Sequence, residues 1–125
     1  MGSTHSFKED SRNQNIKVFV NGEIMPRQEA KISFFDSGFL LGDGIWESLR
    51  LHNGKLAFLA QHMYRLRESA KALDMDLGMT DQQITDAIYD TIRANNMEMN
   101  VHIRLYIEDR KLSIINRKFL KGGLL

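Results

Sequence analysis

An α+β fold, with an antiparallel sheet and two helices packed against it, is what this sequence predicts, and three observations carry the prediction. Asn21-Gly22 and Asn53-Gly54 each follow a strand-like run, and both residue types tolerate the positive φ of a tight hairpin turn. From Leu59 onward the apolar spacing changes from two to three and four, the signature of a helix with one buried stripe. Thr80-Asp81-Gln82-Gln83 then reads as a capping box and opens a second helix.

Residues 1–15 are polar, with Phe7 their one sizeable apolar side chain, and read as a flexible tail. Ile16 to Val20 is β-branched and aromatic, and the Asn21-Gly22 turn returns the chain as a strand over Glu23 to Met25. Pro26, the only proline, lacks a backbone donor and ends that hairpin. Ala30 to Phe35 predicts a further short extended segment. Trp46 to Leu51 alternates imperfectly, as a strand with one buried face does, and Lys55 to Phe58 is expected to pair back with it across Asn53-Gly54.

In the first helix Leu59, Met63, Leu66, Ala70 and Leu73 form the apolar stripe, and His62, Arg65 and Ser69 share the neighbouring face. The second helix is expected over about Asp81 to Asn95, burying Ile84, Ala87, Ile88 and Ile92. Val101 to Ile107 alternates as a strand, with His102 and Arg104 on one face and Ile103 and Leu105 on the other. From Glu108 to Leu125 no period is legible, and no element is predicted there.

Composition narrows the function classes. Seventeen Lys and Arg against sixteen Asp and Glu create no field that favours nucleic acid or a membrane surface. The absence of cysteine excludes disulfides, thiolate metal sites and a cysteine nucleophile. His5, His52, His62 and His102 show no ligand spacing, so no structural metal is expected. No apolar run approaches the roughly 20 residues that span a bilayer, and the first fifteen residues lack a signal-peptide core, so the expected location is the cytoplasm.

The stretch from Phe35 to Arg50, Phe-Asp-Ser-Gly-Phe-Leu-Leu-Gly-Asp-Gly-Ile-Trp-Glu-Ser-Leu-Arg, holds Gly38, Gly42 and Gly44 among aromatic residues. Such a chain turns tightly and lets another group approach its backbone. It reads either as a solvated turn or, with Arg65 on the following helix, as part of an anion site, because guanidinium binds phosphate through paired hydrogen bonds.

The order of Asn21-Gly22-Glu23, the Phe35–Arg50 stretch, Asn53-Gly54-Lys55, Phe58 to Leu73 and Met99 to Leu105 resembles the N-terminal domain of fold-type IV, or class IV, pyridoxal-phosphate-dependent aminotransferases. That group includes branched-chain aminotransferases, D-amino acid aminotransferases and aminodeoxychorismate lyase. The resemblance covers about Val18 to Tyr106. It implies a small domain over 16–107, a cofactor, pyridoxal phosphate, and amino acid and 2-oxo acid substrates.

Residue by residue, the resemblance makes Arg65 the arginine of the His-x-x-Arg-Leu motif that holds the cofactor phosphate, with His62 supporting the same helix. Trp46 matches a substrate-pocket position, Glu47 the acid beside it, and Arg104, more loosely, an arginine on the strand toward the carboxylate-binding region. A core aromatic and a sheet-edge charge are the plain alternatives for Trp46 and Arg104. Family members form dimers, so a homodimer or pairing with full-length subunits is expected.

From about Ile107 the family pattern is lost: no Thr-Arg-Gly turn or Pro-rich loop follows, and 108–125 reads as an unmatched tail. The family's Schiff-base lysine lies in its larger C-terminal domain, and none of Lys111, Lys118 and Lys121 matches it, so no catalytic residue is assigned and the expectation is a truncated N-terminal half. A positioned base contributes about 10²- to 10⁴-fold, which weighs against unaided catalysis. The expected function is class IV aminotransfer, ahead of aminodeoxychorismate lyase-like chemistry or a catalytically inactive dimerisation or binding fragment.

Overall fold

A computed structural model describes residues 11–31, 44–108 and 110–118. Six strands and two helices are arranged as α+β: β1 (Lys17–Val20), β2 (Glu23–Pro26), β3 (Ile45–His52), β4 (Lys55–Leu56), α1 (Leu59–Ala72), α2 (Asp81–Asn95), β5 (Val101–Glu108) and β6 (Lys111–Lys118). The strands form one sheet in the order β2-β1-β6-β5-β3-β4, and every pairing is antiparallel. Both Asn-Gly turns sit where the sequence places them, with Asn21, Gly22, Asn53 and Gly54 all at positive φ.

The pleat sends successive side chains to opposite faces. Ile45, Glu47, Leu49 and Leu51 of β3, and Val101, Ile103, Leu105 and Ile107 of β5, are buried. On the helices, Met63, Leu66 and Ala70 of α1 and Ile84, Ala87, Ile88 and Ile92 of α2 complete the same core. The other face carries Trp46 and Arg50 from β3 and Arg104 from β5, all exposed.

α2 has the predicted bounds because both ends are chemically marked. The Thr80 side chain accepts from the Gln83 amide, the Gln83 side chain accepts from the Thr80 amide, and Asn96 closes the helix in the left-handed region. α1 is shorter than its apolar stripe. It stops at Ala72, so Leu73 becomes its C-terminal cap and stands 49% exposed. The strand expected over Lys55 to Phe58 is cut to two residues, because Phe58 turns into the left-handed region to start α1.

Besides the short 3-10 turn Arg27–Glu29, two elements arise where the sequence shows none. Ser11–Asn13 forms a single 3-10 turn, and the buried Asn13 carboxamide clamps the Lys118 backbone, donating to its carbonyl at 3.1 Å and accepting from its amide at 2.7 Å. The end of the expected tail is thereby tied to the sheet by a partner 105 residues away. β6 is the second: Leu112, Ile114 and Asn116 point into the core, while Ile115 points out and is 41% exposed. A polar residue inside and an apolar one outside conceal its period of two. The extended segment expected over 30–35 and the glycines of the loop before Gly44 fall mostly outside the described residues.

Candidate active site

β3 is the wall on which the candidate site is built. Its pleat places Trp46 and Glu47 back to back, Trp46 on the open face and Glu47 beneath α1. Among the described residues β4 pairs with Leu51 and His52, and the Ala57 amide just beyond it donates to the Arg50 carbonyl at 2.9 Å, so the Ile45–Leu49 part of β3 has a described sheet neighbour on its β5 side alone.

On the helix side, Glu47 is a carboxylate in an otherwise apolar row and is only 5% exposed. A buried carboxylate demands compensating donors. α1 supplies them from one face: His62 Nδ1 lies 2.9 Å from Glu47 Oε1, and Arg65 Nη1 lies 3.6 Å from the same oxygen. The short contact is a hydrogen bond in which the His62 ring N–H donates to the carboxylate. The longer one is an ion pair, through Nη1 alone among the described residues, and the Arg65 side chain is 69% exposed.

On the open face, Trp46 stands directly opposite Tyr106, and Ser48 opposite Arg104. The Arg104 guanidinium carbon lies 5.3 Å from the centre of the Trp46 ring, a cation–π contact along the sheet diagonal. Trp46 is 61% exposed, so it is no core aromatic, and Arg104 lies on an interior strand rather than an edge. Beyond Arg104, Arg50, His102 and Arg117 form a row across β3, β5 and β6. Burial and then the charges of Arg104, Arg50 and Arg117 push the His102 imidazole below its ordinary pKa.

Gly44 closes the end of this face. A Cβ added there would lie 2.3 Å from the Tyr106 hydroxyl and 2.6 Å from its ring carbon Cζ, so the phenol occupies the space a side chain would need. Burial, followed by the charge and hydrogen bond of Glu108, raises the Tyr106 pKa above its ordinary value.

The sequence-derived residues thus fall into two pairs, Arg65 with Glu47 and Trp46 with Arg104, on opposite sides of one strand. Glu47 is the residue whose part sequence reasoning underrates. Its signal is an acid at an inward position of an alternating strand, flanked by Ile45 and Leu49. No group of three potential metal ligands gathers among the described residues, and no described helix is long and apolar enough to cross a membrane.

The family profile described as Amino-transferase class IV matches residues 44–116, from the glycine that faces Tyr106 into β6. The chain belongs to the class IV aminotransferases. The match runs past Ile107, where the sequence pattern seemed to end. Among similar proteins, a branched-chain-amino-acid aminotransferase-like protein of Arabidopsis thaliana is 44% identical over 93 residues, covering 74% of this chain and 17% of its own length. A D-alanine aminotransferase of Staphylococcus haemolyticus is 39% identical over 82 residues, covering 66% of this chain and 29% of its own. The solved branched-chain aminotransferase of Thermoproteus uzoniensis superposes with a TM-score of 0.74 at 26% identity, over 85% of this chain and 41% of that one. This class IV chain therefore spans less than a third of these two sequence relatives and about two fifths of the structural one.

Proposed function

We propose that this chain forms the small domain of a pyridoxal-phosphate-dependent aminotransferase, an enzyme that moves an amino group between an amino acid and a 2-oxo acid. The observation that carries the reading is the exposed Arg65 guanidinium held beside β3 by a buried carboxylate, with Trp46 and Arg104 meeting on the other face of the same sheet. The donor set fits the cofactor's phosphate: a dianion calls for a planar fork of N–H donors with a fixed direction, and Arg65 presents one. When bound, pyridoxal phosphate supplies the electron sink for amino-group transfer.

The chain's own residues bind and orient. Arg65 anchors the phosphate, Trp46 shapes the substrate side chain, and Arg104 offers a cation to a carboxylate. No lysine of this chain is assigned the base. The names of the relatives support both branched-chain and D-amino acids as substrate classes, with an aminodeoxychorismate lyase-like reaction second.

A binding or dimerisation role within a larger class IV assembly is the other reading. It is favoured by the exposed Trp46 and Ile115 on the open face, and a second copy or a longer subunit of the same family is the proposed partner. Titration with pyridoxal phosphate, followed by absorbance, borohydride reduction and mass mapping of any labelled lysine, separates the readings. Under the leading one, phosphate-dependent binding is present and is lost in Arg65→Ala. Binding unchanged in Arg65→Ala sinks the phosphate-anchor assignment.

A further inference from the structure

We infer that the Asn21-Gly22 turn is a site of spontaneous covalent modification, deamidation of Asn21 through a cyclic imide, and that the fold withholds the same chemistry from Asn53-Gly54. The two dipeptides are identical, so what separates them is what each turn touches.

Both turns begin alike. Each joins two antiparallel strands, Val20 to Glu23 in one hairpin and His52 to Lys55 in the other, and each holds its asparagine and glycine at positive φ. Both are exposed, and a Cβ built on Gly22 or on Gly54 would meet nothing within 4 Å. With no side chain on the glycine, nothing stands between its backbone nitrogen and the carboxamide before it.

In the reaction the Gly22 nitrogen attacks the Asn21 side-chain carbonyl carbon. The new nitrogen–carbon bond forms as the Asn21 amino group leaves with the Gly22 amide proton, together as ammonia, and a five-membered imide remains. Water then opens one of the two imide bonds, giving aspartate or isoaspartate. Neither an oxidant nor an enzyme is needed, and the rate rises with pH because the attacking nitrogen must lose its proton.

The two turns differ at that nitrogen. The Gly54 amide donates to the Glu98 carbonyl at 3.1 Å and the Asn53 amide donates to Met99 Sδ at 3.0 Å, so the segment between α2 and β5 holds both residues of the turn. That segment is itself tied to β6, because the Lys118 ammonium donates to the Met99 carbonyl at 2.6 Å. Gly54 must give up its acceptor before it can attack. In the first turn the Asn21 amide donates to the Leu112 carbonyl at 2.7 Å, which holds the asparagine, but among the described residues no carbonyl takes the Gly22 amide. The nucleophile is restrained in one turn and available in the other.

Position in the sheet sets the consequence. β2 is an edge strand whose one sheet neighbour is β1. Aspartate keeps the turn, since Asp tolerates the left-handed region much as Asn does. Isoaspartate lengthens the backbone of a two-residue turn by one methylene, which disturbs the Val20 to Glu23 register and loosens β2. β5 and β3, which carry Arg104, Trp46 and Glu47, stand on the far side of β6 and are spared.

The test incubates the full chain at mildly alkaline pH, folded in one sample and in concentrated urea in another. Peptide mass mapping follows each asparagine, and an isoaspartate-specific carboxyl methyltransferase serves as the probe for the rearranged product. In urea both sites should convert at similar rates, because the dipeptide is the same. In the folded chain Asn53 should convert about tenfold more slowly than Asn21, the scale of one retained hydrogen bond and the closed turn around it. Equal folded rates, or a faster Asn53, overturn the inference, and so does a folded chain that converts at neither site while the urea sample converts at both. Amide hydrogen exchange gives an independent measurement: the Gly22 amide should exchange freely and the Gly54 amide slowly, and equal protection of the two overturns the inference before any modification is followed.

Discussion

The two faces of the sheet obey different rules although they are made by alternate residues of the same strands. The helix-covered face is apolar apart from a few polar residues such as Glu47 and Asn116, and at Glu47 the charge is met at once by donors from α1. The other face tolerates Arg50, Arg104 and Arg117 around one histidine, because water reaches these groups and screens their repulsion. The contrast teaches that a charge on the covered face needs a partner and therefore marks a built site. A charge on the open face is reached by water as well, so its meaning rests on what stands beside it, as Trp46 stands beside Arg104.

Neighbours on β5 give the sharpest way to break this comparison. Leu105 points into the core and is fully buried, while Arg104 points the other way. Leu105→Ala is expected to cost about 2–5 kcal/mol in urea unfolding, from lost burial and the cavity left behind. Arg104→Ala should cost about 0.5–1 kcal/mol, the worth of an exposed cation–π pair, with a change in Trp46 fluorescence. Equal costs for the two would show that the open face is packed like a core.

Much of this contrast was legible in the residues. The Asn-Gly turns, the capping box at Thr80 and the alternation of Val101 to Ile107 each act locally, so the sequence window that contains them also contains their cause. β6 was not legible, since Asn116 faces inward and Ile115 outward, against the usual polarity. Nor was the setting of Glu47: its partners lie 15 and 18 residues away on a helix, and only the packing of α1 onto β3 brings them within reach. The pairing of Trp46 with Arg104 was half legible. Alternation placed each on a face, but the adjacency of β3 and β5 is a fact of topology.

A medium effect tests whether the open face is close-packed at one end. The glycine-rich stretch was expected to let some group approach its backbone, and at Gly44 the approaching group is the Tyr106 phenol of this same chain. Gly44→Ala should destabilise by about 1–3 kcal/mol, as overpacking does. The cause is the ring, so the cost should largely disappear in a Tyr106→Ala background. If the penalty is the same in both backgrounds, the contact is not its origin and the open face is loose even there.

The smallest expected effect concerns His102, and its sign follows from its neighbours. Burial first, then Arg104 on its own strand, Arg50 on β3 and Arg117 on β6, lower its pKa in the folded protein. The unfolded chain therefore takes up the proton first, near the ordinary value of about 6.5, while the native state resists it. Stability is full above that value and falls as the pH drops from it toward the folded pKa. His102→Gln should flatten this part of the stability profile relative to wild type. Arg104→Gln should raise the imidazole pKa in an NMR titration while leaving it below the ordinary value, because burial is the larger cause and remains. An imidazole that titrates at or above its ordinary value in the wild-type chain would mean that solvent screens the arginine row completely, and that the open face carries its charges at no cost to the fold.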